Sequence, residues 1–210
     1  RWTNTIDGFN MPIEVLINNK IKWLYPTNSW DEVNIKSQNN FTKLINSCLD
    51  KLLSIDNSIK IVSLYYPILN EISPFGFIKY FKDNHITTAL PVVNVNTKSI
   101  VFKKWFQKEK LQKGELGNYE PSLTNKTVFP QIIFVPMLMF DRQLNRIGYG
   151  GGYYDKAIFS LKQYFHKVGK SFFAIGLAYS EQETKSIPYE NHDQKLDFIV
   201  TEKEILSKVA

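Results

Sequence analysis

The sequence predicts an α/β fold, a mainly parallel central sheet with flanking helices in a Rossmann-like three-layer architecture. Two observations carry this. Short apolar runs rich in Ile, Val and Phe alternate along the chain with amphipathic stretches at helical spacing. Such alternation implies right-handed strand–helix–strand crossovers. A glycine-rich loop also follows directly on one apolar run, which is where ligand loops lie in sheets of this kind.

The elements follow in chain order. Residues 1–36 are irregular in pattern and carry Trp2, Trp23 and Trp30 among polar residues, so they are expected to form an arm or leading element. Residues 37–210 are expected to form the main domain. From Ser37, the positions Phe41, Leu44, Ile45, Cys48, Leu49, Leu52 and Leu53 recur with the period of a helix. Ile59–Tyr65 is a β-rich run that stops before Pro67. Ser73-Pro74 opens a second helix, because Ser caps and Pro fits the first turn. Phe77, Ile78 and Phe81 supply its apolar stripe. Ile86–Val93 and Ser99–Trp105 read as strands, and Lys108–Thr127 as a polar connection. Gln131–Val135 is a fully apolar strand of the buried parallel kind. The glycine loop and a helix from about Gly152 to His166 come next, then strands at Phe172–Tyr179 and Phe198–Thr201.

Composition narrows the function. With 43% hydrophobic and 14% aromatic residues in 210, the chain can bury a core and is far from disordered composition. No apolar run approaches the roughly 18–20 residues of a membrane helix, so membrane insertion is not expected. One cysteine, Cys48, excludes a disulfide framework and fits a reducing intracellular compartment. The mitochondrial matrix and the cytoplasm both remain open, and the start at Arg1 leaves room for a removed transit peptide. A formal charge of +6 favours anionic partners. No nucleic-acid-binding motif accompanies it, so nucleic acid is not an expected partner.

Two nucleotide signatures fail on inspection. Gly169-Lys170-Ser171 resembles the end of a P-loop, but Tyr164 stands where the leading glycine belongs, and a strand follows instead of a helix. In Gly148-Tyr149-Gly150-Gly151-Gly152, the third glycine of the dinucleotide fingerprint would fall on Tyr153. His85, His166 and His192 are too far apart, with one Cys, to form a zinc pattern.

The stretch from Pro136 to Asp155 carries the chemistry. Four glycines within five residues, Gly148, Gly150, Gly151 and Gly152, let main-chain N–H groups converge without side-chain obstruction. Successive N–H groups make an anion-binding nest. The helix starting near Gly152 adds the positive end of its dipole, which suits phosphate. Arg146 can add a forked, permanently charged donor. Asp155 falls in the first helical turn, where it either caps the helix or holds Mg²⁺.

This string resembles the 5-formyltetrahydrofolate cyclo-ligase family. The family pattern is a proline, an apolar stretch, an Asp, then Asn/Gly-Arg, a hydrophobic residue and Gly-x-Gly-x-Gly-Tyr-Tyr-Asp. Pro136, Asp141, Asn145-Arg146-Ile147 and Gly148 through Asp155 match it in position. Supporting matches are Tyr65-Tyr66-Pro67 with Glu71-Ile72, Leu90-Pro91-Val92-Val93, Glu120-Pro121, and Pro188 through Asp193 with Leu196-Asp197. The similarity spans about Ser37 to Thr201.

The resemblance implies conversion of 5-formyltetrahydrofolate and MgATP into 5,10-methenyltetrahydrofolate, ADP and phosphate. It implies that Arg146, Ile147, Gly148, Tyr149, Gly150, Gly151, Gly152, Tyr153 and Tyr154 wrap the ATP phosphates. Tyr149, Gly150, Gly151, Gly152 and Tyr153 would also face the folate, with Tyr66 and Glu71 as further substrate contacts. Arg146 and Tyr153 would be the catalytic residues, and Asp155 and Asp193 the Mg²⁺ ligands. Structural alternatives stay open: a cap-region acid for Glu71, a turn residue for Asp193 and a core residue for Tyr66.

Two departures matter. The family's early Lys-x-x-Leu-Arg helix has no counterpart here; the nearest string is Lys20-Ile21-Lys22-Trp23-Leu24-Tyr25, and either Lys20 or Lys22 compensates, or the helix was lost ahead of Arg1, or the enzyme is degenerate. Leu116-Gly117-Asn118-Tyr119 replaces the family's aromatic-Gly-Ile-Pro before Glu120. The alternative function is therefore a catalytically degenerate member, acting as a folate-binding protein or as a subunit of a larger, mitochondrial assembly joined through the N-terminal arm.

Overall fold

Alternate side chains of the central strands sort into two cores, one on each face of the sheet. Ile132 and Phe134 pack on one face, and Ile133 and Val135 on the other. The computed structural model describes residues 13–17, 20–24, 35–68 and 71–208.

An antiparallel hairpin comes first, β1 (Ile13–Ile17) with β2 (Lys20–Leu24), pairing Ile13 with Leu24 and Ile17 with Lys20. The leading segment is thus not irregular throughout. The string closest to the family's early helix lies in a strand, and Tyr25, Trp2 and Trp30 lie outside the described residues. Helix α1 (Ile35–Ile55) follows and buries Phe41, Ile45, Cys48, Leu49 and Leu52, the expected stripe. Then come β3 (Ile61–Ser63), a 3-10 turn at Pro74–Phe77, and α2 (Ile78–Asp83). Ser73 caps the 3-10 turn, its hydroxyl accepting from the Phe75 N–H at 3.4 Å.

Strands β4 (Thr87–Asn94) and β5 (Ser99–Lys104) form an antiparallel pair. The polar connection contains three two-residue strands, β6 (Gln112–Lys113), β7 (Tyr119–Glu120) and β8 (Thr127–Val128). Next are β9 (Ile132–Pro136), a small hairpin of β10 (Met139–Phe140) with β11 (Arg146–Ile147), and α3 (Tyr153–Lys167). The chain closes with β12 (Phe173–Leu177), β13 (Phe198–Val200) and β14 (Ile205–Ser207).

The main sheet has eight strands in the order β14-β13-β12-β9-β3-β4-β5-β8. The five inner strands from β13 to β4 run parallel; β14 and β5 pair antiparallel with the strands they border, and β8 pairs antiparallel with β5. The predicted three-layer α/β architecture is therefore present. Helices α1 and α2 cover one face and α3 the other.

Topology fixes where a ligand can enter. From β3 the chain steps to β4 on one side, whereas from β9 it steps to β12 on the other. Right-handed crossovers in opposite directions put α2 and α3 on opposite faces. Between the carboxyl ends of β3 and β9 the connections diverge and leave a crevice. One glycine shows how tightly α3's side is packed. A Cβ on Gly176 of β12 would fall 2.2 Å from Met137 and 2.6 Å from Leu196.

Candidate functional site

Both segments that the sequence marks as functional lie at this crevice. Tyr65, Tyr66 and Glu71 follow β3, and the glycine loop follows the β10–β11 hairpin after β9.

The hairpin is organised by Asp141, which is 1% exposed. Its Oδ1 accepts from the N–H groups of Gln143 and Asn145, both at 3.0 Å. Its Oδ2 accepts from Asn145 Nδ2 and from the Ile187 N–H, both at 2.9 Å. Four donors on one carboxylate fix the turn and tie it to the C-terminal segment. Leu144, within that turn, has φ +64, a left-handed conformation held by its burial and by its N–H bond to Asp141 O at 3.0 Å.

The hairpin delivers Arg146 beneath the loop. Its guanidinium is 6% exposed, with Nη2 donating to Asp155 Oδ1 and Nη1 to Gln194 O, both at 2.9 Å. Asp155 Oδ1 also accepts from the Gln194 N–H at 3.0 Å. The Arg146–Asp155 pair thus grips both polar groups of the Gln194 residue. That contact brings the Asp193 segment against the start of α3. Asp193 itself closes a turn, its Oδ2 accepting from the Glu190 N–H at 2.8 Å. His192 lies beside it, with Nε2 at 3.7 Å from Asp193 Oδ1.

Among the described residues, the N–H groups of Gly148 through Gly152 meet no protein acceptor. Helix α3 begins without a side-chain cap, because Gly152 holds the cap position at φ +65, and its first helical bond runs from Lys156 N–H to Gly152 O. Orphan donors of the loop and of the first helical turn therefore converge. A Cβ at Gly148 or Gly152 would meet nothing within 4 Å, so the loop borders open space. Such an array suits a polyphosphate.

A second feature lies alongside. Glu71 accepts from the Ile68 N–H at 2.9 Å, and the Tyr149 phenol lies near enough to feel its charge. Burial raises its carboxyl to about 7, against the lowering effect of the Ile68 N–H bond. Burial also raises the phenols of Tyr65, Tyr149 and Tyr154, and the nearby Glu71 charge raises them further. No cation is among the Glu71 partners on the described residues. A buried carboxylate so placed is a strong acceptor for a neutral ligand with paired N–H donors.

The predicted residues sort as follows. Arg146, Tyr149, Tyr154 and Glu71 are brought together with Asp155. Tyr153 opens α3 beside the loop; a Cβ on Gly151 would fall 2.5 Å from its ring. Tyr66 is half-buried, with ring centroids 5.7 Å from Phe75 and 5.0 Å from Tyr119. Its neighbour Tyr65 is buried near Glu71, its hydroxyl donating to Ile72 O at 2.5 Å. Sequence reasoning missed Gln194, whose role is played by its main chain and leaves no side-chain signal. Among the described residues no group of three or more His, Cys, Asp or Glu could hold a metal by itself. Among the described residues, Asp155 Oδ2 carries no protein bond, and Asp193 Oδ1 has only His192, at 3.7 Å. One or two carboxylate oxygens with phosphates suffice for Mg²⁺, so the pair fits that ion.

A model of the 5-formyltetrahydrofolate cyclo-ligase family matches residues 35–202. The chain is 31% identical over 142 residues to the 5-formyltetrahydrofolate cyclo-ligase of Haemophilus influenzae, covering 65% of this chain and 73% of that protein. It is 29% identical over 174 residues to the Mycoplasma genitalium enzyme of the same name, covering 80% and 88%. In fold it is similar to a 5,10-methenyltetrahydrofolate synthetase from Mycoplasma pneumoniae, with a TM-score of 0.56 and 23% identity over 80% of this chain and 94% of that one. The synthetase of Aquifex aeolicus gives a TM-score of 0.56 and 24% identity over 83% and 90%. No helix among the described residues is long and apolar enough to cross a membrane.

Proposed function

This chain belongs to the 5-formyltetrahydrofolate cyclo-ligase family, and from that premise we propose that it converts 5-formyltetrahydrofolate and MgATP into 5,10-methenyltetrahydrofolate, ADP and phosphate. The observation that carries the proposal is the meeting of two unsatisfied features. Among the described residues, acceptor-free amides of Gly148–Gly152 at an uncapped helix start lie near a largely buried carboxylate, Glu71, with no cation partner.

The reaction asks for positioning more than covalent work. The formyl oxygen attacks the γ-phosphorus, the bond to the bridging oxygen breaks, and ADP leaves. The folate N10 then adds to the activated formyl carbon and loses its proton, and phosphate departs as the ring closes. Aligning two bound substrates and neutralising phosphate charge supply the acceleration.

Each residue has a part in this. The loop amides and the α3 start bind the phosphate oxygens. Glu71 accepts from the pterin N–H edge and fixes the ring. Arg146, held by Asp155 and Gln194, keeps the loop in place and puts a fixed positive charge beneath the phosphates. Tyr153 flanks the reacting formyl group from the first turn of α3. Asp155 and Asp193 would hold Mg²⁺, which would supply neutralisation of the phosphate charge.

One observation favours a non-catalytic folate binder instead. Lys20 and Lys22 lie in strand β2, and Arg146 is already paired within the protein. The cyclisation assay separates the two readings. The enzyme reading expects methenyl absorbance to grow with 5-formyltetrahydrofolate, ATP and Mg²⁺, and to be lost in Asp155→Asn and Arg146→Ala. No product at high protein concentration would leave the binder, and wild-type rates in both variants would refute the site.

A further inference from the structure

The polar connection between β5 and β8 folds into a flap in which β6 pairs with β7, Gln112 opposite Glu120 and Lys113 opposite Tyr119. Two carboxylates fasten it to the carboxyl end of β4. Glu120, 3% exposed, accepts through Oε1 from the Val93 N–H at 3.0 Å and from Asn118 Nδ2 at 3.1 Å. Glu115 Oε2 accepts from the Val95 N–H at 2.8 Å. The fit at Glu120 depends on Gly114, where a Cβ would fall 2.3 Å from the Glu120 Cδ. Since β4 is the neighbour of β3, the flap is held one strand from the crevice, at the rim of the sheet where ligands enter.

Side chains alternate along a strand, so with Glu120 inside, Tyr119 stands outside. It is 48% exposed. Its ring lies 5.0 Å from that of Tyr66, tilted by 51°. Tyr66 meets Phe75 edge-on at 5.7 Å, and Phe75 lies 5.5 Å from the buried Trp105. Four rings thus run from the core to solvent, and the outermost stays half exposed. Tyr66 belongs to the segment that leads from β3 to Glu71. One stretch of chain therefore carries both the ring that supports Tyr119 and the carboxylate that would hold a pterin. A tyrosine already restrained by neighbouring rings offers broad contact to a flat ligand with few torsions left to fix.

5-Formyltetrahydrofolate presents two parts to such a site, a pterin with its N–H edge and the flat p-aminobenzoyl ring beyond N10. We propose that Tyr119 is a specificity-determining residue that packs against the p-aminobenzoyl ring while Glu71 takes the pterin. The proposal deepens the folate reading above and rests on it. Tyr119 stands where the family pattern has proline, and Leu116 where it has an aromatic residue, so the ring comes from a position of this chain's own. Contact there also restrains N10, the atom that must close on the formyl carbon.

Calorimetric titration with 5-formyltetrahydrofolate tests this on wild type, Tyr119→Leu and Tyr119→Phe, with a non-hydrolysable ATP analogue titrated in parallel. Leucine keeps apolar bulk and removes the ring. It should weaken folate about 5- to 30-fold, the worth of a lost aromatic contact, and leave nucleotide affinity unchanged. Phenylalanine restores the ring and should restore folate affinity with it. A leucine variant that holds folate as tightly as the wild type overturns the proposal. So does one that loses folate and nucleotide alike, which marks a general disturbance of the flap, and so does a phenylalanine variant as weak as leucine. A wild type that binds no folate overturns the folate reading itself, and the part of Tyr119 in it.

Discussion

Glu71→Gln separates what the site does for stability from what it does for binding. Burial raises the Glu71 carboxyl from 4.5 to about 7 in the folded chain. Since the folded state holds this proton more tightly than the unfolded one, stability is lost as pH climbs from the unfolded value to the folded one. The shift corresponds to roughly 3 kcal/mol lost across that interval. The amide of Gln does not ionise, and its oxygen can still accept from the Ile68 N–H. The variant should therefore gain about 2–3 kcal/mol over wild type between about pH 5 and pH 8. Urea unfolding at both pH values measures this directly. At the same time its NH₂ faces ligand N–H groups, and folate binding should weaken by about 2–4 kcal/mol. Parallel stability curves for the two proteins would refute the assignment of a buried, cation-free carboxylate.

Other perturbations probe the frame around it. Arg146→Lys cannot reach both Asp155 and Gln194 O, and breaking so buried a pair should cost about 3–5 kcal/mol in denaturant unfolding, with loss of turnover. Asp141→Ala leaves four donors without their acceptor and should destabilise by at least about 3 kcal/mol by the same measurement, far from the reacting atoms. Gly152→Ala forces a left-handed alanine into open space, so it should cost about 1–2 kcal/mol of stability with a larger fall in nucleotide affinity. Gly151→Ala must push the Tyr153 ring aside; it should lower kcat more than melting temperature.

The large elements were legible because their signals are local. The apolar stripe from Phe41 to Leu52 fixed α1, and the Ile132–Val135 run fixed the central strand with both faces buried. The glycine string marks the candidate site, since four glycines before a helix have few other uses. The hairpin β1–β2 had a signal that went unused, alternating runs on either side of Asn18-Asn19. The β10–β11 hairpin had almost none. Met137–Phe140 reads as one apolar run, and the pairing is set by Asp141 gathering donors from residues as distant as Ile187. Arg146 was read as a phosphate donor because a free guanidinium beside glycines suggests it. Its pairing with Asp155 and the Gln194 main chain depends on two chain crossings that spacing does not encode.

The glycine amides can be observed one by one. Titrating ¹⁵N-labelled protein with a non-hydrolysable ATP analogue and Mg²⁺ should shift the amide resonances of Gly148, Gly150, Gly151 and Gly152, and leave Gly76, Gly114 and Gly169 in place. Nucleotide binding with the four loop glycines unmoved would contradict a polyphosphate held by that main chain.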